Sequence, residues 1–153
     1  MLSVDEDGKA ILANMPRRLA LHHFSFNGPL SALAFSPSGR HFLVAVGRII
    51  EVWHTPDIAA TTAEGLAFTP FVQHRLYAGH RDHVSHLTWS KDSRFFLSSS
   101  NDLTTRIWSL TREEGFSPTV LAGHRENAVG AWFSTDQENV RTFAPYRLLG
   151  LTG

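Results

Sequence analysis

The chain has 153 residues and no net formal charge, since 14 Lys and Arg residues balance 14 Asp and Glu residues, which argues against nucleic-acid or membrane binding driven by bulk charge. It contains no cysteine, which excludes a disulfide scaffold and a cysteine-based zinc site. The acidic start is not a secretory signal, and no run approaches the roughly 18 apolar residues of a membrane helix.

Residues 1–26 alternate short apolar runs with turn signals. An acidic stretch ending in Gly8 separates two such runs and indicates a hairpin. Pro16 marks a break, and residues 17–26 predict a further strand. We interpret this segment as the back half of a repeating β unit, with a free β-meander as the alternative.

Residues 30–53 and 84–108 follow one pattern. Each segment opens with three apolar residues, continues through a polar turn and ends in two further apolar runs. The opening residues are displaced by 54 positions (84 − 30): Leu30, Leu33 and Phe35 in the first segment, and Val84, Leu87 and Trp89 in the second. Such repetition predicts two β units with the same strand plan.

The second segment carries polar residues that the first segment lacks. It is preceded by a Gly-His dipeptide ending at His80, and it contains Asn101-Asp102, which suits a tight hairpin because both residue types tolerate left-handed backbone. The first segment has the hairpin Gly47-Arg48, one residue shorter and without Asp. We therefore expect apolar packing alone to stabilise the first segment.

A third copy begins at a Gly-His dipeptide ending at His124, 44 positions after His80 (124 − 80). Thr142 then falls at the position of Ser98 (98 + 44). Beyond Thr142 the pattern stops. We expect residues 143–153 to be a tail foreign to the repeat, as a truncation, an unspliced intron or a wrong gene model would each produce.

The stretch from the Gly-His dipeptide at 79–80 to Trp108 resembles one WD40 repeat over its whole length. The resemblance implies four antiparallel strands per repeat of about 40–45 residues, closing into a β-propeller. It also implies a buried, hydrogen-bonded tetrad, which in this sequence would be formed by His80, Ser98, Asp102 and Trp108.

On this basis we predict an all-β fold: a WD40 β-propeller fragment of about three blades plus a partial blade, with the ring not closed, because a ring needs four or more blades. Residues 1–142 would form the partial propeller, followed by the tail at 143–153. The expected divisions are 1–26 as a half blade, 30–77 as a degenerate blade, 79–122 as a complete blade and 123–142 as the start of the next blade.

Several longer runs resemble the amino-terminal propeller of the periodic tryptophan protein two family, over about residues 1–142. These runs are residues 2–12 with 21–24, 50–57, 71–80 and 87–95. The resemblance implies a non-catalytic protein-interaction scaffold of the nucleolus, active in ribosome biogenesis. Its partners would be other proteins of the small-subunit processome, which assembles on pre-ribosomal RNA, with contact to pre-rRNA or small nucleolar RNA left open. The alternative is a generic WD40 adaptor in another intracellular complex.

His80, Ser98 and Asp102 are also the residue types of a hydrolytic triad. No Gly-x-Ser-x-Gly motif is present, and Ser98 lies in a predicted strand, not in a strand-to-helix elbow. The structural tetrad is therefore the favoured interpretation. His80, His83 and His86 recur at every third position. They are expected in three different places, however: the tetrad, a loop and a strand, respectively. The sequence thus predicts no catalytic residue, no metal site and no cofactor, since nucleotide-binding glycine loops are absent too.

The basic residues are scattered along the chain, as on an ordinary solvated surface. Those in the loops before the strands would lie together on one rim of a propeller. We predict that this rim, with Arg81, Asp82, His83 and Arg125, is the candidate partner-binding surface.

Overall fold

The computed structural model of the chain describes residues 2–4, 7–14, 19–55, 71–111, 117–137 and 139–144. Its strands are β1 (Leu2–Val4), β2 (Lys9–Asn14), β3 (Leu19–Ser25), β4 (Leu30–Phe35), β5 (His41–Val46), β6 (Ile49–His54), β7 (Val72–Ala78), β8 (Val84–Trp89), β9 (Phe95–Ser100), β10 (Thr104–Ser109), β11 (Thr119–Ala122), β12 (Gly130–Phe133) and β13 (Val140–Phe143). Nowhere in these ranges does the chain form a helix that could span a membrane.

The strands form four antiparallel sheets in chain order. The first sheet contains β1 to β3, the second β4 to β7, the third β8 to β11, and the fourth β12 and β13. In each sheet, every strand pairs with the next one along the chain, as in a propeller blade. The predicted all-β propeller fragment is confirmed, and over the described residues the sheets do not close a ring.

Consecutive sheets pack face to face, and β5 shows why. Successive side chains of a strand point to opposite faces. Phe42 and Val44 therefore join Phe24 in a core cluster against the first sheet, whereas Leu43 and Ala45 join a core cluster against the third sheet. Because β5 and its counterpart β9 are covered on both faces, their sequences are nearly continuous runs of apolar and small residues.

The same serine turn joins the first two strands of the second, third and fourth sheets. In each turn the fourth residue donates its backbone N–H to the carbonyl of the first: Gly39 to Ser36 at 2.9 Å, Ser93 to Ser90 at 3.0 Å, and Gln137 to Ser134 at 2.9 Å. The donors have left-handed φ angles of 72°, 60° and 61°. One local design thus recurs wherever the sequence repeats its polar turn.

Side chains of two of these turns also tie the third sheet to the second and the fourth sheet to the third. The hydroxyl of Ser93 accepts the backbone N–H of Ser38 at 3.1 Å, and the amide oxygen of Gln137 accepts the backbone N–H of Asp92 at 3.4 Å. A glycine at this position has no side chain to make such a bond. Ser93 and Gln137, which have left-handed backbone although they are not glycines, are therefore also the residues whose side chains contact the preceding sheet.

The second hairpins of the two four-stranded sheets differ in their backbone. Gly47 opens the two-residue turn between β5 and β6, with a left-handed φ of 60°. The turn between β9 and β10 has three residues, and its left-handed residue is Leu103, with φ of 66°. The hairpin lies where the sequence predicted it, at Asn101-Asp102. The left-handed position, however, falls on the following leucine, as in a three-residue loop.

Strand β13 ends one residue beyond the last position that follows the sequence pattern. Strand β13 includes Phe143, which pairs with Gly130, and its carbonyl accepts the backbone N–H of Val129 at 2.9 Å. The strand therefore runs one residue into the predicted tail, because strand pairing needs backbone groups and not a particular side chain. Residues 145–153 lie outside the described part of the chain.

Candidate functional site

Four structural elements bring the predicted tetrad together. His80 follows β7, Ser98 lies in β9, Trp108 lies in β10, and Asp102 lies in the turn between those strands. The glycine before His80 allows a close approach, because a Cβ atom on Gly79 would lie 3.1 Å from the Trp108 ring and 2.9 Å from an Arg106 nitrogen. The Gly-His dipeptide thus lets the loop pass over the indole.

The four side chains form one chain of hydrogen bonds. Trp108 Nε1–H donates to Ser98 Oγ at 2.7 Å. Ser98 Oγ lies 2.7 Å from His80 Nε2, and His80 Nδ1 lies 2.9 Å from Asp102 Oδ2. A neutral His80 with its proton on Nδ1 satisfies every partner: the serine hydroxyl donates to Nε2, and Nδ1–H donates to the carboxylate. All four side chains then take part in hydrogen bonds that run in one direction, from the Trp108 indole to the Asp102 carboxylate.

The Asp102 carboxylate has more partners than the tetrad supplies. Thr104 donates to Oδ1 through its hydroxyl at 2.6 Å and through its backbone N–H at 3.0 Å, while the backbone N–H of Arg81 donates to Oδ2 at 2.9 Å. Ser100 Oγ accepts the backbone N–H of Asp102 at 3.1 Å and donates to the carbonyl of Asp82 at 3.0 Å. Thr104 and Ser100 therefore extend the network. Sequence reasoning missed them, although both flank the hairpin that carries Asp102.

These contacts set the charges of the pair. Burial alone would raise the pKa of Asp102, but the hydrogen bonds from Thr104, from the backbone of Arg81 and from His80 outweigh it and hold that pKa well below its ordinary value. Burial lowers the pKa of His80, and this effect outweighs the hydrogen bond and charge of Asp102, which raise it. At neutral pH the pair is therefore a carboxylate facing a neutral imidazole.

The order Asp102, His80, Ser98 is that of a hydrolytic triad, but Ser98 cannot meet a substrate. The residue is 0% exposed, and its hydroxyl oxygen already contacts both His80 and the Trp108 indole. A nucleophile needs an open approach and an oxyanion site beside it. The geometry is that of a closed structural network.

The fourth sheet keeps part of this network. His124 Nε2 lies 2.7 Å from Thr142 Oγ1, as His80 lies against Ser98. The positions that would match Asp102 and Trp108 are Tyr146 and Thr152, which lie outside the described residues.

In the second sheet an aromatic cluster stands where the tetrad would be. The displacement of 54 positions places Phe26 at the position of His80 and Val44 at that of Ser98 (80 − 26 = 98 − 44). Trp53 pairs with Phe42 as Trp108 pairs with Phe96. The Phe26 and Trp53 rings meet edge to face, 5.9 Å apart.

The expectation of apolar packing alone in this sheet is wrong in one respect. The Trp53 indole N–H donates to the carboxylate of Glu51 at 2.9 Å. Glu51 lies two residues before Trp53 on β6, so its side chain emerges on the same face of the strand. The indole finds a partner within its own strand because no serine faces it from β5.

Three of the four predicted rim residues lie together, and the fourth lies elsewhere. Arg81, Asp82 and His83 line a groove of about 410 Å³ at the edge where β4 and β8 begin. Arg125 is exposed in the loop before β12 and does not line this groove. Sequence reasoning missed Arg48, which lines the groove from the hairpin of the second sheet.

No metal centre forms from the histidines that sequence reasoning weighed. His80 belongs to the tetrad, His83 lines the rim groove, and His86 packs against Trp132 with ring centroids 5.2 Å apart. In the part of the chain that the structure describes, no group of three or more His, Cys, Asp or Glu residues could hold a metal ion.

A different histidine cluster forms at the opposite edge of the second sheet. His54 Nε2 lies 3.0 Å from His74 Nδ1, and the ring of His41 lies 4.4 Å from that of His54 between centroids. The three residues come from β6, β7 and β5. Their spacing in the sequence gives no sign of the cluster, because antiparallel pairing alone brings them together.

Comparison with known proteins agrees with this geometry. Residues 71–109 match the family model described as WD domain, G-beta repeat. The chain is 62% identical over 143 residues to the periodic tryptophan protein 2 homolog of Neurospora crassa, covering 93% of the chain and 16% of that relative. It is 48% identical over 143 residues to periodic tryptophan protein 2 of Saccharomyces cerevisiae, covering 93% of the chain and 15% of that relative. It is 34% identical over 139 residues to the Arabidopsis thaliana protein of the same name, covering 90% of the chain and 15% of that relative.

The chain therefore spans only about one sixth of the length of these relatives. The likeness extends across every sheet that the structure describes, well beyond the single repeat that the family model matches. The chain contains a WD40 repeat at residues 71–109 and, over 93% of its length, is similar to periodic tryptophan protein 2.

Proposed function

We propose that the chain forms part of a non-catalytic protein-interaction scaffold in ribosome biogenesis. In this role it contributes to assembly of the small-subunit processome and to processing of pre-ribosomal RNA in the nucleolus. The observation that carries the proposal is the 62% identity to a periodic tryptophan protein 2 homolog over 93% of the chain.

The structure supports the scaffold role through what its polar residues do. The triad-like residues are enclosed, with Ser98 fully buried and hydrogen-bonded on both sides. Propeller blades held rigid in this way present loops on a firm frame, and such loops commonly carry binding function. A fluorophosphonate probe for activated serines should leave the chain unlabelled, and labelling that disappears in Ser98→Ala would contradict the non-catalytic role.

The biological role is tested in the full-length protein that contains this chain. After its depletion we expect small-subunit rRNA precursors to accumulate and mature small-subunit rRNA to fall, with large-subunit rRNA as the internal control. Affinity purification of the tagged protein should recover other proteins bound to pre-ribosomal RNA. Normal precursor levels after complete depletion would overturn the proposal.

The second candidate is a WD40 adaptor in another intracellular complex. The observation in its favour is that the family model matches only the WD40 repeat at residues 71–109. Adaptors of many kinds share this repeat. Recovery of one stable complex without pre-ribosomal RNA would favour this candidate.

A further inference from the structure

The rim groove lies between two neighbouring sheets. One wall is the loop before β4 with the hairpin of the second sheet, and the other wall is the loop that leads into β8 of the third sheet. Its lining residues are Asn27, Gly28, Pro29, Val46, Gly47, Arg48, Ile49, Arg81, Asp82 and His83. The groove is open to solvent and has a volume of about 410 Å³.

Backbone hydrogen bonds hold the two walls in place. The N–H of Val84 donates to the carbonyl of Gly47 at 2.8 Å, which links the third sheet to the hairpin of the second. The N–H of Asn101 donates to the carbonyl of His83 at 3.0 Å, which fixes the opposite wall to the next hairpin. The groove is therefore preformed, and a ligand would not have to order it.

The charged groups of the groove are unequally engaged. Arg48 and Arg81 are exposed, and in the described residues no ion pair joins either guanidinium to a carboxylate. The carboxylate of Asp82 accepts the backbone N–H of His83 at 2.7 Å. The two arginines are thus the groups that can receive an anion.

The remaining lining is mainly apolar or lacks charge. Pro29, Val46 and Ile49 supply hydrocarbon surface on the wall formed by the second sheet, and Ile49 is 38% exposed. A phosphate backbone is bound by many cations in a row. Two arginines beside apolar surface and one acidic residue fit carboxylates on a peptide better.

We infer that this groove binds an extended acidic segment of a protein partner. Carboxylates of the segment would pair with the guanidinium groups of Arg48 and Arg81, which suit two-pronged recognition. An apolar side chain between them would cover Val46 and Ile49. The inference deepens the proposed scaffold function and rests on it, since it names the chemistry of one partner.

The test uses fluorescence anisotropy with a labelled peptide that alternates glutamate and leucine. Arg48→Glu and Arg81→Glu should each weaken binding by about tenfold or more, as expected for loss of a charge-assisted bond. Arg125→Glu is the matched control, because it makes the same charge change on an exposed loop outside the groove. Circular dichroism melting checks that each variant is folded.

Three outcomes would overturn the inference: no binding of the acidic peptide, equal weakening by Arg125→Glu, or tighter binding of a single-stranded RNA probe that the same groove variants weaken. The full-length protein carrying Arg81→Glu separates the two proposals. If it still associates with pre-ribosomal RNA while the peptide never binds, the groove inference fails and the scaffold function stands.

Discussion

The second and third sheets share one strand plan but fill their equivalent inner positions with opposite chemistry. In the third sheet His80 and Ser98 belong to a polar network, whereas Phe26 and Val44 occupy those positions in the second sheet within an aromatic cluster. Both sheets are joined to their neighbours by equally buried central strands. The strand arrangement of a sheet therefore does not require the polar network. Either the polar network or the aromatic cluster can pack at these inner positions.

The two fillings differ in how they tolerate change. Aromatic rings adapt to small shifts, because their contacts are numerous and weakly directional. The polar network depends on every member, because a buried donor or acceptor that loses its partner remains without water. We expect the third sheet to be the more sensitive to substitutions that remove a single polar group.

Asp102→Ala breaks the polar network at its charged end and should have the largest effect. It removes the acceptor of His80 Nδ1, of the Arg81 backbone and of Thr104, and should cost roughly 1–3 kcal/mol of unfolding free energy. Urea unfolding of the chain measures this. Asp82→Ala is the matched control, because Asp82 is exposed, and it should cost within about 0.5 kcal/mol. Equal stability of Asp102→Ala and the parent chain would show that the network is not structural.

Val44→Ser places the hydroxyl of the third sheet into the second. Val44 is 0% exposed and lies in an apolar cluster without a histidine, and the Trp53 indole N–H already donates to Glu51, so the change should cost about 1–3 kcal/mol. Adding Phe26→His should not restore stability, because Gly47-Arg48 supplies no carboxylate. Recovery in the double variant would show that a histidine and a serine suffice without the aspartate.

The two hairpins provide a pair of opposite changes. Gly47→Ala introduces a Cβ at a φ of 60° and should destabilise the chain by about 1 kcal/mol, whereas Leu103→Gly removes one at 66° and should stabilise it by up to about 1 kcal/mol. Denaturant midpoints with unchanged slopes would measure both. Equal signs for the two changes would show that backbone strain does not govern these turns.

The histidine cluster of the second sheet should make stability depend on mildly acidic pH. Burial, with the charges of His54, His74 and Arg40, lowers the pKa of His41 from 6.5 to about 4. Burial, His54 and Arg75 lower the pKa of His74, against a carbonyl contact from Leu110 that raises it. The folded state therefore binds fewer protons than the unfolded chain below pH 6.5.

The resulting stability is fully present above pH 6.5 and is lost as pH falls toward about 4. His41→Gln should flatten the pH dependence of the unfolding free energy in this window. The remaining slope comes in part from His80, whose pKa is also lowered. If the unfolding free energy of His41→Gln depended on pH as steeply as that of the parent chain, the histidine cluster would not be a source of this pH dependence.

Local patterns determined much of this protein. The displacement of 54 positions and the recurring serine turn indicate repeated β units, since strand period and turn chemistry are set by neighbours in the sequence. The four tetrad residues followed from the resemblance of this stretch to a WD40 repeat. The tertiary structure decided what depends on stacking and pairing of separate strands. Examples are the cluster of His41, His54 and His74, and the groove completed by Arg48. No local signal encodes such contacts, because they arise only where distant segments are brought to one sheet edge.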